Sequence, residues 1–169
     1  MGATVNINMP LTLWSARDTM RLAQNTLASI KLRTSKGIDA NGEGFQGYSR
    51  EPIYVAKKGA RLSPKGGRPS RTGNSVYYAQ GYEQYKAESK RTSKKKLIVD
   101  LVLSGQLMNN LIVIDATATA FKIGLTKHVK SYGYHVNDQR EFIGLSDDDI
   151  EILTNAVNIE IRKKLGLSK

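Results

Sequence analysis

Residues 97–125 read LIVDLVLSGQLMNNLIVIDATATAFKIGL, and the fold class turns on how this stretch is parsed. Its apolar residues fall in short runs of Leu, Ile and Val, which is the pattern of strands with tight connections. Leu97 to Leu103 reads as a strand around Asp100. Ser104 is placed to cap a single helical turn, Gly105 to Asn109, which Asn110 leaves through the left-handed region. Leu111 to Asp115 and Thr119 to Leu125 read as two further strands, separated by the small residues Ala116-Thr117-Ala118.

The period changes on both sides of this stretch. Leu13, Ala16, Met20, Ala23, Leu27 and Ile30 recur at intervals of 3, 4, 3, 4 and 3. That spacing predicts a helix over 12–33, capped by Thr12, with Arg17, Asp18, Arg21 and Gln24 on other faces. Thr34 to about Ser75 is rich in Gly, Pro, Ser and Lys, with one β-like island at Ile53-Tyr54-Val55. It reads as irregular structure with a hairpin as an option. Helical spacing returns over 76–91 through Tyr78, Tyr82 and Tyr85, weakened by Gly81 by about 1 kcal/mol. Lys127 to Tyr132 suggests a short helix, then a polar turn around Gly133 and Asn137-Asp138, then a short strand from Arg140 to Gly144. Ser146 opens a last helix, with Asp149 placed for a capping box and Asp147, Asp148 and Asp149 where the helix dipole favours anions. Ile150, Leu153, Val157 and Ile161 form its expected buried stripe, and Arg162-Lys163-Lys164 suit its end.

The class is therefore α+β. A small, mostly antiparallel sheet from 97–103, 111–115, 119–125 and 140–144 is expected to pack against an N-terminal and a C-terminal helix. A long basic, Gly-rich insertion interrupts this plan. The chain of 169 residues suits a single domain, with a scaffold of 1–30 and 97–169 and an arm of 31–96.

That division rests on charge. The net charge is +11. Residues 31–96 hold 16 Lys or Arg against 5 Asp or Glu, whereas the rest holds 10 of each sign. Nine of the 15 glycines lie in the same segment. The run Lys57, Lys58, Arg61, Lys65, Arg68 and Arg71 is its centre, facing DNA or lying on an acidic neighbouring subunit, with a solvated, mobile loop as the plain alternative. Tyr78, Tyr82 and Tyr85 read as packing residues at an interface or in the core, with base stacking the weaker alternative.

The same inventory points away from catalysis. Absent cysteines exclude disulfides, thiolate metal sites and Cys nucleophiles. Asp39, Asn41, Glu43 and Gly44 fit the start of a calcium loop, but Arg50 stands where the bidentate Glu is required. His128 and His135 match no ligand spacing for a metal. No phosphate-binding G-x-x-x-x-G-K-[ST] and no G-x-S-x-G elbow occurs, so no catalytic residue and no cofactor site is expected. The N-terminus has no signal-peptide pattern, and no stretch approaches 18 uninterrupted apolar residues; a soluble, intracellularly made protein without a membrane partner is expected.

Several stretches together resemble a known family. Ile30 to Ser49, with G-I-D-A-N-G-E-G-F-Q-G-Y-S at its heart, is similar to the segment after the first helix of tail-completion and head–tail joining (neck) proteins of long-tailed bacteriophages. Gly81 to Lys86 resembles their G-Y-x-x-Y-K element. Val99 to Asn110 resembles D-L-x-L-[ST]-G-x-[LM]-x-x-[SN]. His128 to Gly133 falls where they place a histidine and a glycine, and Arg140 to Asp149 resembles their closing R-x-F-x-G-L-S-x-x-D. The longer, more basic stretch between Tyr54 and Ser75 departs from the pattern. The resemblance implies a non-enzymatic virion protein of the head–tail junction, assembled in the host cytoplasm as a tail-completion or tail-terminator ring, commonly hexameric. Its implied partners are further copies, other neck, connector or portal-side and tail-tube proteins, and non-specifically the channel DNA. The competing class is a free basic nucleic-acid-binding module, favoured by a pI near 9.8.

Overall fold

The computed structural model describes residues 2–6, 14–60, 63–89, 99–101 and 105–167. The expected cap Thr12, Arg61 and most of the expected strand 97–103 lie outside these residues. The elements are β1 (Ala3–Asn6), α1 (Ala16–Ser35), β2 (Ile53–Ala56), β3 (Arg68–Pro69), β4 (Ser75–Tyr78), α2 (Gly81–Ser89), α3 (Gln106–Asn109), β5 (Leu111–Ala116), β6 (Ala120–Leu125), α4 (Lys130–Gln139) and α5 (Asp147–Lys164). They form two antiparallel three-stranded sheets, in the orders β1-β6-β5 and β2-β4-β3, and the class is α+β.

The first sheet carries the main core. Val5 lies opposite Phe121, Val113 opposite Ile123 and Leu111 opposite Leu125, so one face is apolar throughout. The ladder shifts by one residue between Val113 and Asp115, a bulge that leaves Ile112 and Ile114 outside. Helix α1 lies across β5 and β6, and α5 lies along α1. Trp14, Leu22, Ile30, Phe121, Ile123 and Phe142 meet in the space between.

Both terminal helices exist, α1 starting and ending later than the expected 12–33. The buried face of α1 is rotated from the expected one, whereas three of the four expected residues of α5 pack on the core. In α1 the buried side is Thr19, Leu22, Ala23, Thr26, Ile30, Arg33 and Thr34, while Met20 is exposed. Threonine serves here because its methyl packs while its hydroxyl is satisfied. Thr26 donates to the Leu22 carbonyl at 2.9 Å, and Thr19 accepts from the Trp14 indole at 2.9 Å. In α5, Leu153, Ala156, Val157 and Ile161 pack on the core and Ile150 is exposed. Ser15, not Thr12, caps α1.

Of the expected strands, 140–144 gives way to other structure, and 97–103 is described only over 99–101. Val99 to Leu101 is not in a strand, and Leu101 has φ +53. β1, unforeseen from its few alternating residues, supplies the third strand instead. The segment 140–144 is not a strand but bends at Arg140, Ile143 and Gly144, its backbone held by side chains. Asn137 accepts from the amides of Phe142 (3.0 Å) and Ile143 (2.8 Å). Arg33 donates to the carbonyls of Phe142 (3.0 Å) and Gly144 (3.2 Å). The expected turn at Gly133 is the interior of α4. A Cβ at Gly133 would stand 2.2 Å from Leu125 Cδ1, so the glycine lets α4 press onto the end of β6.

The helix termini are joined at the surface. Asp18 completes the capping box with Ser15 and accepts from Lys164 Nζ at 2.6 Å. The hydrogen bond from Lys164 and those from Ser15 pull the Asp18 carboxyl down from 3.8 to about 2. A lowered folded value stabilises above 3.8 and loses that contribution as pH falls towards 2. Asp18→Asn is therefore expected to flatten the acid limb of a stability–pH profile over that window, with little change in slope above pH 5, measured by urea unfolding.

Candidate functional site

The basic segment owns the second sheet, where irregular structure is the sequence expectation. β4 is its centre: Ile53 lies opposite Tyr78, Tyr54 opposite Tyr77 and Val55 opposite Val76, while Arg68 lies opposite Tyr77 on the other side. Strand alternation sends Ile53, Val55, Val76 and Tyr78 inward, where they pack with Tyr82 and Tyr85 of α2. Tyr78 is fully buried and donates its hydroxyl to the Lys65 carbonyl at 2.8 Å. It sits on a strand, so the helical face expected for Tyr78, Tyr82 and Tyr85 is a sheet–helix contact instead.

Helix α2 seats this sheet on the scaffold. Gly81 has φ +63, and a Cβ there would stand 2.4 Å from the Glu51 carbonyl oxygen. Only glycine meets both demands. At the far end Lys86 is 1% exposed, donating to the Tyr48 hydroxyl and to Asp100 at 2.6 Å. Burial pushes the Tyr48 hydroxyl pKa above its ordinary value. Arg140 donates to the carbonyls of Gln46 (3.2 Å) and Gly47 (3.0 Å). A cavity of about 290 Å³ lies between these groups, lined by Tyr48, Tyr82, Lys86, Leu101, Tyr132 and Arg140. Its lining side chains Tyr48, Lys86 and Arg140 already serve to hold the two parts together.

The other chemical candidates resolve into local structure. Asp39 accepts from the amides of Asn41 (2.8 Å) and Glu43 (2.9 Å), a self-bonded turn. His128 precedes α4 and His135 lies on its exposed side, near Gln139. Among the described residues no three His, Cys, Asp or Glu side chains gather as a metal site.

The basic residues do gather. Lys57 donates its amide to the Asn74 carbonyl at 2.9 Å, which puts Lys57 and Lys58 beside the β3–β4 turn that carries Arg71. Arg68 stands on the solvent face of the sheet in a cross-strand row with Tyr77 and Tyr54. The two rings lie 4.9 Å apart and Tyr54 is 67% exposed. Lys65 is exposed beside α2, its amide bonded to the Ser89 hydroxyl at 3.1 Å. None of these five cations is paired with a carboxylate among the described residues. Sequence reasoning missed the row of Tyr54, Tyr77 and Arg68. Its signal was the alternation in Ile53-Tyr54-Val55 and Val76-Tyr77-Tyr78.

A different surface has the opposite character. On α5, Asp148, Ile152, Asn155 and Ile159 recur at 4, 3 and 4 and share one exposed stripe. Ile152 and Leu32 of α1, 57% and 58% exposed, border a cavity of about 190 Å³ with Ile38, Lys36 and Asp148. Asp148 on its wall is exposed, as are Asp147 and Glu151 near it on α5, and all three are unpaired among the described residues. No family model, no curated protein and no solved structure matches this chain.

Proposed function

We propose that this chain is a structural subunit of the junction between the DNA-filled head and the tail of a long-tailed bacteriophage, set in a ring around the DNA channel. The observation that carries this reading is where the family-like elements fall. Gly81, Tyr82, Tyr85 and Lys86 of the G-Y-x-x-Y-K element seat α2 and its sheet on the scaffold. In the R-x-F-x-G-L-S-x-x-D element, Phe142 is buried, Ser146 and Asp149 cap α5, and Asp149 holds Arg33. Both elements do architectural work, as a rigid joint requires, and neither assembles a nucleophile with a base.

Deleting the gene from the phage genome that encodes it is expected to leave filled heads and complete tails unjoined, visible by negative-stain microscopy. Normal infectious particles after deletion would overturn the reading.

The unpaired cations beside Tyr54 and Tyr77 favour a second reading, a nucleic-acid-binding module. It requires an affinity for DNA that falls steeply with log salt; a slope near zero excludes it.

A further inference from the structure

We propose that the cationic tyrosine face of one copy, Tyr54, Tyr77 and Arg68 with Lys57, Lys58 and Arg71 at its end, seats on the α1–α5 socket of a second copy, formed by Leu32, Ile152 and Asp148. This deepens the ring reading, since it names the two surfaces through which one subunit holds the next.

The two patches complement each other in three respects. The first is charge: the tyrosine face is cationic and free of carboxylate partners, whereas Asp148 on the socket wall lacks a cationic partner among the described residues, with Asp147 and Glu151 exposed near it on α5. Two cations share the socket wall: Arg33, which is neutralised by Asp149, and Lys36. The second is apolar area. Leu32 and Ile152 are more than half exposed at the socket, with Ile159 exposed further along the same stripe of α5, and Tyr54 is two-thirds exposed on a sheet. Two such rings offer large contact area with little rotamer freedom to lose. The third is shape, because a cavity of about 190 Å³ can admit a ring edge.

The patches lie on different elements and form no ion pair with each other in one chain. A contact between them is therefore heterologous, and repetition of it generates a ring or a filament. DNA on the tyrosine face explains the cations but leaves Leu32, Ile152 and the acidic rim unaccounted for. A second copy accounts for both surfaces together.

The chain has no cysteine, so introduced ones are unique handles. The full-length double variant Tyr54→Cys/Ile152→Cys, treated with a short bis-maleimide, is expected to give a ladder of dimers, trimers and higher species. Each single variant is expected to stop at the background dimer. Within the double-cysteine chain, Arg68→Glu is expected to reduce the ladder at least fivefold, and adding Asp148→Arg to restore it. A double variant no different from the singles overturns the proposal. So does fluorescein-labelled single-stranded DNA binding lost in Arg68→Glu without any ladder, which assigns the face to nucleic acid. The ladder is read on purified protein. It can therefore stand if gene deletion leaves particles normal, or fail while the chain is still required for joining.

Discussion

Asp149→Ala is expected to destabilise the protein by about 3–5 kcal/mol, read as a shift in urea midpoint at constant slope. Asp149 is 4% exposed and serves two structures together. Its carboxylate accepts from the Ser146 amide at 3.1 Å as the capping box of α5, and from the Ser29 hydroxyl and Arg33 guanidinium of α1. Burial pushes the Arg33 guanidinium below its ordinary value, and Asp149 is the first charge that opposes this. Removing the carboxylate leaves a largely buried cation that cannot shed its proton and has lost its charged partner. Arg33→Met combined with Asp149→Ala is expected to be less destabilised than the sum of the single variants, since no charge is then left alone. Strict additivity would show that the pair is not coupled.

Phe142→Ala is expected to cost about 3–5 kcal/mol in the same assay. The ring is fully buried with Trp14, Ile30, Phe121 and Ile123. Its backbone is clamped at both polar groups, the amide by Asn137 and the carbonyl by Arg33. Clamped backbone cannot slide to fill the space a missing ring leaves, which puts the cost at the upper end for such cavities. A loss under about 1 kcal/mol would mean that the loop collapses into the gap.

These two residues show where sequence reading reached and where it stopped. Ser146 and Asp149 were legible as a capping box, because capping is a contact between residues three apart. That Asp149 also neutralises Arg33 was not, since 116 positions separate them. Phe142 reads as part of a strand because it and Ile143 form a short apolar run closed by Gly144. Tertiary neighbours then supplied side-chain partners to its backbone, and the ladder a strand would need was never required. The stripe of α1 misled for a related reason. Apolarity alone ranks Met20 above Thr19, yet a threonine whose hydroxyl finds the Trp14 indole and the Ala118 carbonyl packs better against a sheet than an unbranched thioether.

The candidate surface follows the same division. Its charge was visible in composition, because counting needs no geometry. Its tyrosines were only partly legible: Tyr78 and Tyr85 are core, and the outward row runs through the exposed Tyr54 and the half-buried Tyr77. Register separates them, since successive strand residues face opposite ways and a shift by one exchanges buried for exposed.

By itself, then, the sequence determined the α+β class, the helices at either end, the β5–β6 hairpin and the concentration of positive charge in one segment. Each depends on periodicity, capping or composition, which act over a few residues. Only the tertiary structure decided that β1 completes the main sheet, that the basic segment folds as β2-β4-β3, and which tyrosines face solvent. The β2–β4 and β1–β6 pairings behind those outcomes join residues 19 to more than 100 positions apart. There the competing arrangements differ by contacts that no local pattern encodes.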